Sequence, residues 1–327
     1  MDELSRATRG GVGAVMIALA LTVLALTAGW ASGAAYDGRI EPRPCVGACS
    51  SSASAAGDDE RVAATAIASP TPEPTPTEPA GFPYVSARSI AVVESACGAL
   101  VYGRDEHLPL PPASLTKMMT AAVATDQADI GLMITSQVDG ALLHDQTGST
   151  VMGVQPGMEL SLLDLLYGLM LPSGNDAAIA IAEGISGDEA TFVELMNEKA
   201  ASLALDDTHF TNSHGLDEDG LVSSAHDMAM LARYIMQNAE LREIVKAPSW
   251  QPAWDGGEVW NGNRLLQEYE GADGVKIGYT EESQQTIVAS ATQDGRRIIV
   301  SLMRSQDRYT DSARMLDWAF AQPSPCP

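Results

Sequence analysis

The chain has 327 residues, and its 43 acidic side chains against 19 basic ones give a formal charge of −24. That balance lacks the basic footprint of a nucleic-acid-binding protein and disfavours electrostatic docking on anionic lipid. At 45% hydrophobic residues the chain has the apolar material for a core and is not disordered throughout.

From Gly10 to Tyr36 no residue is charged, and Val15 to Leu26 reads VMIALALTVLAL. A secretory signal has about 7–15 apolar residues and a spanning helix about 20, so this stretch is closer to the second. Arg6 and Arg9 precede it and the next basic residue is Arg39, which puts the N-terminus inside and the rest outside. Residues 1–36 therefore read as a cytoplasmic tip with an uncleaved membrane anchor. The small residues Ala31-Ser32-Gly33-Ala34-Ala35 keep a cleaved signal open as the alternative. Either way the remainder works outside the cytoplasm, and membrane contact is confined to this segment.

Residues 37–81 are small, polar and proline-rich, ending in SPTPEPTPTEPA from Ser69 to Ala80. Alternating prolines remove backbone donors and favour extended polyproline II of about 3.1 Å per residue, so a disordered, semi-rigid stalk is expected. Residues 82–322 read as one α/β domain and 323–327 as a short tail.

Within the domain, Ser89–Glu94 and Ala99–Tyr102 read as strands joined through Cys97-Gly98. Pro109 to Pro112 interrupt regular structure, and a helix is expected over Ser114–Ala124. LSLLDLLYGLML from Ser161 is a strongly apolar helix with Ser161 and Asp164 spaced for capping, stopped by Pro172. Further helices are expected from about Asp176 and over Ala190–Leu203. TIVASAT, Asp294-Gly295 and RRIIVSLM read as a hairpin, and Ser312–Phe320 as a closing helix. Strands at both ends with helices between them predict an α/β (α+β) fold, one antiparallel sheet built from both termini with an inserted helical region.

Three short stretches carry candidate chemistry. In Ser114-Leu115-Thr116-Lys117 a helix places Lys117 one turn from Ser114, on the same face. A serine hydroxyl is a weak nucleophile until a base takes its proton. Lysine can do so only if burial or a neighbouring cation lowers its pKa from about 10.4. Ser173-Gly174-Asn175 lies between two helices; it reads either as a helix N-cap or as a hydroxyl and an amide aimed into a cleft. Lys276-Ile277-Gly278 reads as an edge strand, where a cation could bind a carboxylate and Gly278 would admit close backbone approach. Taken singly, each also fits ordinary structure. The five histidines and four cysteines show no metal-ligand spacing, so neither a metal nor a cofactor is expected.

In this order the three stretches resemble the S-x-x-K, S-x-N and K-T-G set of penicillin-binding proteins and serine β-lactamases. ASLTKMMTA, LLYGLMLPSGNDAA, TNSHGL, ADGVKIGYT, IVASAT and LDWAF extend the likeness over about residues 86–320. They resemble the low-molecular-mass D-alanyl-D-alanine carboxypeptidases of the S11 serine peptidase family. The resemblance implies a β-lactamase/transpeptidase-like fold acting on peptidoglycan stem peptides, with β-lactams as acylating inhibitors. It further implies Ser114 as nucleophile, Lys117 as its base, Ser173 as proton relay and Asn175 as holder of the substrate amide. Lys276 and Arg308 would hold the terminal carboxylate, Gly278 would admit the substrate, and the N–H groups of Ser114 and Tyr279 would form the oxyanion hole.

The sequence departs from the family at Ile277, where threonine is usual, and at Ser283-Gln284, where a small Ala-Gly pair is usual. A serine β-lactamase and a catalytically weak wall-binding relative stay open as alternatives. For the first, Glu194 with Asn197 is the one faint echo of a deacylating carboxylate. A Cys97–Cys326 disulfide is expected if the last helix packs near the first strands in an oxidising compartment. Residues 82–327 hold 34 acids and 14 bases, a net of −20, so carboxylate capture must be local rather than long-range. Of only four lysines, two fall in these motifs, and arginine could not replace Lys117 because it cannot lose its proton.

Overall fold

A computed structural model describes residues 78–79, 81–254 and 256–327. The anchor expected over 1–36 and most of the stalk expected over 37–81 lie outside these residues. Among the described residues no helix is long and apolar enough to cross a membrane.

The first strand, β1 (Ser89–Glu94), turns back into β2 (Leu100–Arg104). A short 3-10 turn (Ala113–Thr116) then feeds α1 (Lys117–Gln127). The helical region continues through α2 (Gly140–Thr147), α3 (Leu162–Met170), α4 (Asn175–Ser186), α5 (Glu189–Ser202), α6 (Ala225–Ile235) and α7 (Ala239–Lys246). Two small ribbons ornament it: β3 (Met133–Thr135) with β4 (Glu159–Ser161), and β5 (Ser249–Trp250) with β6 (Val259–Trp260). A single turn, α8 (Leu265–Glu268), leads into β7 (Ala272–Thr280), β8 (Gln284–Gln293) and β9 (Arg296–Ser305). The last helix is α9 (Arg308–Phe320).

The main sheet has the order β2-β1-β9-β8-β7, with every pairing antiparallel. The N-terminal β1 lies beside the penultimate element β9, so both chain ends build one sheet, as the strand pattern predicts. Asp294 and Gly295 both have positive φ (50° and 79°), the conformation a tight hairpin needs between twisted strands.

Alternation along the strands divides the core. Ile90, Val92, Ile287, Ala289, Ile298 and Val300 face α9 through Met315, Leu316 and Ala319. Ala91, Val93, Val288 and Ile299 face the helical region. On β7, Lys276 pairs with Val288 and Ile277 with Ile287, so consecutive residues of the motif address opposite sides of the sheet. The outermost strand β7 thus carries one buried cation toward the helices.

Cys97 and Cys326 are joined by a disulfide, as the packing of the last helix near the first strands predicts. Two helix starts differ from expectation by about a turn. The closing helix begins at Arg308 rather than Ser312, because the Asp307 side chain caps it by accepting the Thr310 N–H. The helix after Ser114 starts as a 3-10 turn, with regular α-helix only from Lys117.

Candidate active site

The site is assembled where the helical region meets β7. Pro111 and Pro112 prevent a regular approach to α1, and Ala113 takes a left-handed conformation (φ 51°) that tips Ser114 into the 3-10 turn. Thr286 Oγ1 of β8 donates to Pro112 O at 3.2 Å, tying this turn to the sheet. A Cβ added to Gly215 would fall 2.0 Å from Ala113 O, so the turn leaves room only for glycine there.

Lys117, the first residue of α1, is completely buried. Its Nζ lies 3.1 Å from Ser114 Oγ and donates to Asn175 Oδ1 at 2.6 Å and to the His214 carbonyl. Burial holds its pKa well below the usual lysine value, the Lys276 cation adds to that, and Asp176 opposes it. Sequence reasoning missed the His214 carbonyl. The loop Thr211–Leu216 presents it because Asn212 Oδ1 accepts the Gly215 N–H at 2.7 Å and Ser213 Oγ donates to Glu189 Oε1 at 2.6 Å. Burial, with the Lys117 cation, pushes the His214 imidazole down to about 3, so it is neutral at physiological pH.

Between α3 and α4 the chain makes a strained connection. Pro172 has no N–H to give the Gly168 carbonyl, and Gly174 N supplies that bond instead at 2.9 Å. Ser173 is left with φ 70°, and its Oγ is buried without a hydrogen-bond partner among the described residues. The N-cap of α4 is Gly174, with no side-chain cap bond. The capping explanation of Ser173 and Asn175 is therefore set aside. Asn175 turns its amide oxygen to Lys117.

Lys276 is also buried, and its Nζ donates to Ile277 O at 3.0 Å. Burial and the nearby Arg308 lower its pKa to about 7. Arg308 opens α9, and its Nη1 donates to Gly278 O at 2.7 Å and Thr286 O at 3.1 Å. A cleft of about 680 Å³ is lined by Ser114, Ser173, Asn175, Gly278, Tyr279 and Arg308, with Thr147–Thr150 and Leu216-Asp217 on its walls. Lys117 and Lys276 lie behind this surface. All eight sequence-predicted residues thus fall on or directly behind one cleft.

The departures are also explained. Ser283 is buried and closes the β7–β8 turn: its Oγ accepts the Thr280 N–H at 2.9 Å. Gln284 has φ 56°, a conformation that glycine adopts at less cost. Ile277 borders the cleft and packs on the α9-side core. Glu194 is exposed on α5, and Asn197 is bonded to Val193 O and to both backbone groups of Phe210. Neither lines the cleft.

Comparison with known proteins gives the same assignment. The family model for D-alanyl-D-alanine carboxypeptidase, peptidase family S11, matches residues 75–307. The chain belongs to this family. It is 37% identical to D-alanyl-D-alanine carboxypeptidase DacB2 of Mycobacterium tuberculosis, over 75% of this chain and 87% of that one. Identity is 34% to DacF of Bacillus subtilis and 32% to DacA of Escherichia coli strain K12. The matched region spans 62% of the length of each of those two relatives.

Among solved structures, a D-alanyl-D-alanine carboxypeptidase from M. tuberculosis H37Rv superposes with a TM-score of 0.71 at 34% identity. The match covers 76% of this chain and 98% of that one. The Streptomyces K15 DD-transpeptidase gives 0.69 at 27% identity, over 73% and 99%. The S11 fold here is therefore the DD-peptidase fold, with both sheet and helical region represented.

Proposed function

We propose that this chain is a serine-type D-alanyl-D-alanine carboxypeptidase that removes the terminal D-alanine of peptidoglycan stem peptides. One observation carries the reading: the fully buried Lys117 Nζ has three partners, two carbonyl-type oxygens and the Ser114 hydroxyl. A neutral amine has two N–H bonds and one lone pair. Asn175 Oδ1 and His214 O take the two hydrogens, and the lone pair is left for the Ser114 proton. That is the arrangement a general base needs.

Ser114 Oγ then attacks the carbonyl carbon of the penultimate D-alanine as its proton passes to Lys117. The N–H groups of Ser114 and Tyr279 hold the oxyanion. Ser173, with its hydroxyl uncommitted, relays that proton: its own goes to the leaving nitrogen and is replaced by the one Lys117 took up, and the C–N bond breaks to release D-alanine. Water, giving a proton to Lys117, then attacks the Ser114 ester; the C–O bond breaks, the peptide leaves with its new carboxyl group, and Lys117 returns the proton to Ser114 Oγ. Asn175 orients the peptide, Gly278 admits it against the sheet edge, and Lys276 and Arg308 attract its carboxylate. A β-lactam enters the same steps and leaves Ser114 acylated.

We also place residues 82–322 outside the cytoplasm as the catalytic domain, tethered through residues 1–36 and a stalk over 37–81. The Cys97–Cys326 disulfide supports an oxidising compartment.

The test incubates the soluble domain with labelled penicillin and with diacetyl-L-lysyl-D-Ala-D-Ala, beside Ser114→Ala. Labelling and D-alanine release that both vanish in the variant are expected. Rapid release of hydrolysed penicillin would favour a β-lactamase. Labelling without peptide turnover would favour a wall-binding relative, and no labelling of wild type would overturn the enzyme reading.

A further inference from the structure

Asp176 is fully buried in the first turn of α4, and no step above uses it. Its Oδ1 accepts the N–H groups of Met152 and Ala177, both at 2.9 Å. Its Oδ2 accepts those of Gly153 and Val154 at 2.8 Å, with Met152 also within 3.1 Å. A carboxylate offers about four lone-pair sites, so this one is saturated by backbone donors. Three of the donors come from one segment, residues 152–154, which directly follows the Thr147–Thr150 wall of the cleft.

The preceding residue grips the same segment. Asn175 N donates to Thr150 O at 2.9 Å, while Asn175 Oδ1 accepts Lys117 Nζ. Two consecutive residues of α4 thus connect the wall to the catalytic lysine. The packing around them leaves no spare volume. A Cβ on Gly140 would lie 2.6 Å from Asp176 Oδ2, and one on Gly174 would lie 2.8 Å from Oδ1. On Gly168 it would meet Met152 Sδ at 2.0 Å. Bonds from backbone N–H to an ionised carboxylate are roughly twice as strong as neutral ones, so this is a firm attachment.

We propose that Asp176 is a positioning residue: by gathering the amides of Met152, Gly153 and Val154 it fixes the Thr147–Thr150 wall against Asn175 and Lys117, so that a substrate on that wall meets Ser114 in attacking geometry. The inference rests on the reading of Ser114 as the nucleophile. Misplacement by about 1 Å can cost about a hundredfold in rate, which sets the scale of the effect.

The test is Asp176→Asn, which keeps the shape but turns an N–H donor toward backbone donors. Two readouts are taken: the rate and final extent of labelling by a fluorescent penicillin, and amide hydrogen exchange. The proposal expects labelling slowed about tenfold to a hundredfold with full final extent. It also expects faster exchange at residues 152–154 with the amides of β8 and β9 unchanged. A merely structural role would instead lower the final extent, speed exchange everywhere and leave the rate constant alone; that pattern overturns the proposal. So does a folded variant with wild-type labelling rate, or with unchanged exchange at residues 152–154. If Asp176→Asn does not fold, Gly140→Ala presses on the same oxygen and is judged by the same criteria. If wild type itself is not labelled, the reading of Ser114 has failed, and the exchange comparison alone decides whether Asp176 holds the wall.

Discussion

Gly278 of β7 lies so close to Ser114 that a Cβ built on it would stand 2.9 Å from the Ser114 amide nitrogen and 2.5 Å from Thr286 Oγ1. The glycine therefore serves contact between sheet edge and nucleophile turn rather than backbone freedom, since its φ is not in the left-handed region. Gly278→Ala is expected to push the edge strand away from Ser114 and slow penicillin labelling by about a hundredfold. The second-order labelling rate measures this. A rate within about threefold of wild type would mean that the strand can yield without disturbing the reaction.

The two buried lysines predict a bell-shaped pH profile in kcat/KM. Lys117 must be neutral to act as base, and its lowered pKa makes that form available below the normal lysine range; activity is lost as pH falls through it. Lys276 must be charged to attract a carboxylate, and with its pKa lowered to about 7 that charge is lost as pH rises through about 7. The alkaline loss belongs in KM, because a bound carboxylate restores the Lys276 proton. His214, held down to about 3, contributes nothing near neutrality. Steady-state kinetics on a free-acid peptide and its C-terminal amide separate the effects. Only the free acid loses kcat/KM on the alkaline side, and the same loss with the amide would assign that limb elsewhere.

What the sequence revealed and what it hid follow from the kind of group involved. Ser114 and Lys117 are a helical turn apart, and Asp294-Gly295 is a local turn signal, so short spacing carries both. The His214 carbonyl that orients Lys117 was invisible because every residue has a carbonyl, and only tertiary structure selects one. Asp176 was invisible for a related reason: three of its partners are amides more than twenty residues away with no side-chain signature. The helix α2 was missed because only Gly140 in it is buried, which leaves no apolar stripe to read. The start of α9 depended on one capping side chain, Asp307.

The Cys97–Cys326 disulfide closes nearly the whole domain into one loop, its ends separated by 229 positions in the sequence. In the chain-entropy account a cross-link over so long a segment stabilises by restricting the unfolded state, typically about 2–4 kcal/mol. Cys326→Ser is expected to lower the midpoint of thermal unfolding by several degrees while leaving penicillin labelling at 25 °C intact, since neither cysteine lines the cleft. Calorimetry of oxidised and variant domains measures the first effect and labelling the second. An unchanged midpoint would show that the tail contributes nothing to stability.

Ile277 puts an aliphatic side chain at the cleft edge, between two residues that carry the carboxylate-binding assignment, Lys276 and Gly278. Related enzymes usually carry a threonine there, whose hydroxyl can donate to the same carboxylate. Ile277→Thr keeps the β-branched form that suits a strand and gives up some contact with the core on the α9 side. A hydrogen bond to a charged group is worth about 1.5–3 kcal/mol where the geometry is good. Partial alignment of the new hydroxyl makes an increase of about three- to tenfold in kcat/KM the reasonable expectation, mostly through KM. The control is again the C-terminal amide of the same peptide, which lacks the negative charge and should gain little. If the free acid shows no increase, or the amide gains equally, then the side chain at 277 does not face the carboxylate, and Arg308 with Lys276 holds it without help from that position.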